Sequence, residues 1–189
     1  MPTGLRIIGG RLKGRRLATL PGRMVRPTSD RLRETLFNIL DCRLVGARVL
    51  DGCAGTGALG IEALSRGASE VVFVERSERV AVNLQRNIEL CGLLGVAQLV
   101  VGSLPAVATR QELGEAFDLI LLDPPYEAPE IGAILSAMTR SLRENGTIVL
   151  ERSRRVSVEH SADLNPVRSL KSGDSVLDFY QLRKKACDE

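Results

Sequence analysis

The chain has 189 residues, 44% of them apolar and 26% charged, a balance that excludes wholesale disorder and suits one folded domain with an appendage. No apolar run approaches the roughly 20 residues that cross a bilayer, and the N-terminus has no apolar signal core, so a cytoplasmic protein without a membrane partner is expected. The net charge of +3 is unevenly spread: residues 1–36 hold nine Lys/Arg against two acids, a net of +7, and the remainder carries −4, which points to a polyanionic partner.

The first twenty residues predict a β-hairpin. Leu5–Ile8 and Arg15–Ala18 flank the turn-rich stretch Gly9–Gly14. After Pro27, Thr28 or Ser29 can cap a helix through about Leu40, with Leu32, Leu36, Phe37 and Leu40 as its apolar stripe. Residues 1–40 therefore form a basic extension, and residues 41–189 a second unit of repeated strands and helices. Arg48–Asp51 is a strand, followed by a glycine-rich turn and a helix that ends at Arg66 before Gly67. Val71–Glu75 is a second strand. Ser77 caps a helix with Val80, Leu84 and Ile88 on one face. Gln98–Val101 and Phe117–Leu122 are further strands, the latter apolar on both faces as a central parallel strand should be. Ile131, Ile134, Leu135, Met138 and Leu142 mark a helix, Thr147–Glu151 is a fifth strand, and Val156–Glu159 and Ser175–Leu182 supply two more. Alternation of this kind predicts an α/β fold with an open, mostly parallel sheet wrapped by helices.

Gly55-x-Gly57-x-x-Gly60 follows the first strand and opens a helix. Glycine lets the backbone approach a ligand closely, and the helix N–H groups face it. Glu75 ends the next strand, where a carboxylate can accept hydrogen bonds from two ribose hydroxyls. The pattern fits a ribose-containing cofactor without saying which. Asp51 ends the first strand, either to receive an amino group of the cofactor or to brace the loop.

Asp123-Pro124-Pro125-Tyr126 directly follows the apolar strand at Phe117–Leu122, at the sheet edge where ligands bind in such folds. Asp123 can accept hydrogen bonds from a planar amine. Pro124 lacks a backbone donor and has a fixed φ, so its carbonyl is a second, held acceptor. Tyr126 offers a face for stacking a base. An exocyclic amine is a poor nucleophile because its lone pair is delocalised into the ring. Two acceptors on its protons pull the nitrogen toward tetrahedral geometry. The target base has to leave its stack to be reached. The four cysteines and single histidine show no metal-ligand spacing, so no metal is expected.

These motifs lie within longer matches: Arg6–Gly10, Gly14–Leu17, Arg26–Asn38, Val49–Gly60, Glu62–Ala68 and Asp123–Tyr126. Together they resemble the bacterial ribosomal RNA small subunit methyltransferase D family. The resemblance implies a Rossmann-like class I fold of seven strands that uses S-adenosylmethionine and releases S-adenosylhomocysteine. It implies transfer to N2 of the guanine at position 966 of 16S rRNA, in the small ribosomal subunit; a monomer is expected. On this analogy the cofactor residues are Asp51, Gly52, Ala54, Gly55, Thr56, Gly57, Glu75, Arg76, Ser103 and Leu104. Asp51, Ala54, Gly55 and Gly57 surround the methionine part, Glu75 takes the ribose and Ser103 lies near the adenine. Asp123, Pro124, Pro125 and Tyr126 form the reacting end. Arg6, Arg11, Lys13, Arg15, Arg16, Arg26, Arg31 and Arg33 are the RNA-binding set, with the hairpin gripping phosphates beside the target loop. Two positions depart from the family: Cys53 stands where a Phe is usual, and Ser103 where related methyltransferases often have Asp.

Three other readings compete. Asp-Pro-Pro-Tyr also serves adenine-N6 methyltransferases acting on DNA or RNA. A nicotinamide dehydrogenase would need a hydride-handling acid or base, and His160 lies in an unremarkable segment. A non-catalytic ribosome-assembly factor of the same fold would have no use for Asp123 and Glu75.

Overall fold

Val49, Leu50, Val71–Val74 and Leu119–Leu122 are apolar on successive residues because both faces of these strands are covered, and all are essentially inaccessible to solvent. They form the centre of a seven-stranded sheet in a computed structural model that describes residues 5–20, 30–109, 113–125 and 130–184. The strands are β1 (Arg48–Asp51), β2 (Glu70–Glu75), β3 (Ala97–Val101), β4 (Phe117–Leu122), β5 (Leu142–Ser153), β6 (Leu164–Ser172) and β7 (Ser175–Leu182). Their spatial order is β3-β2-β1-β4-β5-β7-β6. The first five are parallel, and β7 runs antiparallel to both β5 and β6.

The helices are α1 (Asp30–Leu44), α2 (Ala58–Ser65), α3 (Glu78–Leu90) and α4 (Ile131–Met138). One apolar cluster joins Leu36, Phe37 and Leu40 of α1, Ile61 of α2 and Leu84 of α3 to Val71 and Phe73 of the sheet. A second packs Ile134, Leu135 and Met138 of α4 against Leu50, Val72, Ile120 and Ile148. Among the described residues no helix is long and apolar enough to cross a membrane.

Three expected boundaries shift. The first helix runs to Leu44 because Leu44 continues the stripe one turn beyond Leu40 and is fully buried. Leu142 belongs to β5 and not to the preceding helix, and β5 is far longer than Thr147–Glu151. Val156–Glu159 is not a strand; Val156 and Val158 pack as a loop against the second cluster, and the strand that pairs with β7 is instead β6, Leu164–Ser172. That segment contains Pro166 and mostly exposed polar residues. An edge strand tolerates both, because one side of its ladder needs no partner.

The N-terminal segment forms a short antiparallel ribbon, with one bridge between Arg6 and Arg16 and a single 3-10 turn at Gly10–Leu12. Ile7 N–H donates to the Arg15 carbonyl and Leu17 N–H to that of Leu5, both at 2.9 Å. The ribbon lies against α2 and α3. Glu62, with no exposed surface, accepts from Ile8 N–H and Gly9 N–H at 2.7 Å each and from Arg66 Nε at 2.8 Å. Ser65 Oγ accepts from Leu12 N–H and donates to the Gly9 carbonyl. Asn87 grips both polar groups of Ala18 and also donates to the Thr56 carbonyl.

Candidate active site

The loop between β1 and α2 is shaped by its glycines. Gly57 has φ +81°, and a Cβ there would lie 2.3 Å from Leu84 Cδ1, so neither its conformation nor its contact admits a side chain. Gly55 has φ +55°, but a Cβ there would meet nothing within 4 Å among the described residues. The backbone at Gly55 therefore faces open space, as a ligand cradle requires.

Glu75 reaches this loop from the tip of β2. Its Oε2 accepts from Gly55 N–H at 3.0 Å and its Oε1 from Ser77 N–H at 2.8 Å. Each oxygen keeps a further lone pair. Ser77 occupies the position before α3 as expected, but its hydroxyl makes no cap; its carbonyl accepts from Val80 and Ala81 instead. Glu75→Ala is expected to weaken cofactor binding by roughly 1–3 kcal/mol, the range of one lost charged hydrogen bond. Calorimetry showing unchanged affinity would remove Glu75 from the site.

Asp51 is 1% exposed, and its Oδ2 accepts from Gly60 N–H at 2.9 Å. Of the two roles open to it, this geometry is the bracing one: it pins the first turn of α2 to β1. Burial raises its pKa from 3.8 to about 7; the Gly60 hydrogen bond opposes the rise and the charge on Glu75 adds to it. The folded protein thus binds this proton more tightly than the unfolded chain does. Asp51 contributes stability that is complete below about pH 4 and is lost as pH rises to about 7. Denaturation of the natural protein against Asp51→Asn is expected to show a gap that widens in favour of the variant across that window and is level above it. A gap independent of pH would mean that Asp51 ionises normally.

The Cys53 thiol registers which carboxylates converge here. Burial and the charges of Asp51, Asp123 and Glu75 push its pKa up to about 12, against a smaller opposing effect of Arg76. Asp123 thus sits close enough to the Gly55 loop for its charge to be felt there. The thiol stays protonated and is no nucleophile at neutral pH. In the sequence Cys53 stands out only as a position where a Phe is usual.

Asp123 is half-buried at the end of β4, Pro124 is buried and Pro125 is exposed. Ala54 is buried and Thr56 half-buried in the loop, while Arg76 is exposed beside Glu75. Leu104 packs over Gly52, where a Cβ would lie 2.7 Å from Leu104 Cδ1. Ser103 is exposed beyond β3. Tyr126, Arg26, Thr28 and Ser29 lie outside the described residues. Among the described residues no cluster of side chains could hold a metal ion.

The basic set divides. Arg11, Lys13, Arg15, Arg16 and Arg31 are exposed, and Arg6 is 63% exposed with Nε 3.6 Å from Asp30. Arg33 is a correction: at 1% exposure it is no surface phosphate contact. It falls on the Leu36–Phe37–Leu40 face of α1, where its Nη2 donates to the Arg6 carbonyl and to Asp30 Oδ1. The ribbon's turn lies at the far end of α2 from the glycine loop. It packs on Ser65, the last residue of α2, so Arg11 and Lys13 lie about 12 Å down an eight-residue helix from the glycine loop.

The family model described as "Conserved hypothetical protein 95" matches residues 5–181. The YlbH protein of Bacillus subtilis is 35% identical over 185 residues, 95% of this chain and 100% of that protein. "Ribosomal RNA small subunit methyltransferase D" of Escherichia coli K12 is 36% identical over 147 residues, 78% of this chain and 71% of that protein. This chain belongs to the ribosomal RNA small subunit methyltransferase D family. The solved structure of yhhF from Escherichia coli, 28% identical, superposes with a TM-score of 0.84 over 96% of this chain and 99% of its own. The family's class I methyltransferase fold is therefore present in this chain.

Proposed function

We propose that this chain methylates the exocyclic N2 of a guanine in small subunit ribosomal RNA, with S-adenosylmethionine as donor. The observation that carries this reading is Glu75 bonded to the backbone of Gly55 at the tip of β2, with Asp123 at the tip of β4, the strand on the other side of β1. Glu75 and Asp123 at one cradle favour a cationic ligand, and a sulfonium cofactor is one. The names of the Escherichia coli and Haemophilus influenzae relatives supply ribosomal RNA as substrate.

In this reading Glu75 holds the ribose and Gly55 leaves room for the methionine chain. When bound, the sulfonium supplies an electrophilic methyl that needs no activation. Asp123 and the Pro124 carbonyl accept hydrogen bonds from the two N–H groups of the guanine amine and aim its lone pair. Asp123 or water takes the proton that is lost. Catalysis then rests on positioning and on two fixed acceptors. The exposed arginines of the ribbon and of α1 hold RNA phosphates.

The test is incubation with labelled S-adenosylmethionine and small subunits from a strain lacking the modification, followed by mass spectrometry of the nucleosides. N2-methylguanine is expected. N6-methyladenine would move the reading to its closest rival, and no methylated base would end it.

A further inference from the structure

β5 does not stop where β4 stops. Leu122 pairs with Leu150, and Asp123 follows Leu122 directly. β5 continues to Ser153, paired with β7, and β7 pairs in turn with β6. At about 3.3 Å per residue, Arg154 stands about 10 Å beyond the level of Asp123, one strand over. The antiparallel strands therefore form a wing that rises above the sheet edge, on the side of Asp123 away from Glu75.

The crest of that wing is basic. Arg154 N–H donates to the Asp174 carbonyl at 2.9 Å, and its Nη1 lies 3.4 Å from the Gly173 carbonyl, which fixes Arg154 on the β6–β7 turn. Arg155 follows it. Lys171 pairs with Val176, which pairs with Arg152, so Lys171 comes to the same crest from β6. Arg154, Arg155 and Lys171 are all exposed, and none forms an ion pair among the described residues. The carboxylates nearby in the fold are Asp174, on the turn, and Glu151, buried beneath. By contrast, Arg152 just below is neutralised by Asp178 at 2.6 Å. These three exposed cations are far from the N-terminal basic segment in sequence and stand on the strands that flank β4 on the side of Asp123 away from Glu75.

We infer that Arg154, Arg155 and Lys171 form a second RNA-backbone site, which holds the strand on the far flank of the target nucleotide. This rests on the proposed RNA substrate. A nucleotide that leaves its stack needs its neighbours held on both sides. Arg6 and Arg31 lie at the head of α1, whose tail is fixed at the opposite sheet edge by Arg43 on Thr147, so they and the crest both stand at the reacting edge.

The test replaces all three residues with glutamine and measures binding to unmodified small subunits over a range of salt. Each lost phosphate contact on single-stranded RNA lowers the slope of log K against log salt by about 0.7, so a fall of about 2 is expected. KM for subunits is expected to rise several-fold at unchanged kcat, with cofactor affinity and melting temperature unmoved. Arg155→Lys with Lys171→Arg keeps the charges and should keep the slope. An unchanged slope in the triple glutamine variant overturns the inference. Should the unaltered protein bind subunits but transfer no methyl, the proposed reaction fails, and the slope still decides the crest.

Discussion

Asp123→Ala is expected to lower methyl transfer by roughly 10²–10⁴-fold, the range for a group that orients and accepts a proton in the transition state. Cofactor affinity should be nearly unchanged, because in the proposed function the cofactor is held by Glu75 and the Gly55 backbone, which are bonded to each other. The side chain is half-buried at a strand tip, outside both apolar clusters, so stability should also hold. Asp123→Asn separates charge from shape. It keeps the size but can present an N–H2 to an amine that itself donates, so it should remain far below the natural enzyme. The measurement is single-turnover transfer to unmodified small subunits with cofactor saturating, alongside calorimetric binding of S-adenosylhomocysteine. Near-normal turnover in Asp123→Ala would refute the assigned chemistry. A lost cofactor affinity would instead place Asp123 among the groups that hold the donor.

Much of the loop at the tips of β1 and β2 was legible because its signals are local. Gly55, Gly57 and Gly60 announce a tight loop by their spacing, and Glu75 ends an apolar run twenty residues later. The parallel strands were legible because burial on both faces leaves only apolar residues. What stayed hidden depends on partners distant in the chain. Glu62 and Asn87 look like ordinary polar helix residues, yet both are fully buried and hold backbone groups more than 50 residues away. Arg33 looks like one more cation in a basic run, and only the phase of α1 turns it inward. β6 was missed because an edge strand lacks the apolar alternation that marks a half-buried one. The long β5 hid for a related reason: its exposed start, Arg143–Asn145, reads as a loop.

Glu62 carries the largest expected effect on stability. Its carboxylate has no contact with water and three donors: Ile8 N–H, Gly9 N–H and Arg66 Nε. Arg66 is itself largely buried, with its guanidinium 5.3 Å from the centre of the Phe37 ring. Glu62→Ala leaves that cation and two backbone donors without their acceptor, and removing one partner of a buried pair costs about 3–5 kcal/mol. The chain can limit the loss by releasing the ribbon, since Ile7 and Leu17 are its buried apolar anchors. Two measurements tell the outcomes apart. Global destabilisation appears as a lower denaturant midpoint at unchanged slope. Release of the ribbon appears as fast amide exchange confined to residues 5–20, with β1 and β4 still protected. In either case RNA binding should weaken more than cofactor binding, because Arg6 and Arg16 are placed by the ribbon whereas Glu75 and Gly55 are held by the sheet. A Glu62→Ala protein with natural stability and natural exchange at Ile7–Leu17 would show that the ribbon is held by its apolar anchors alone.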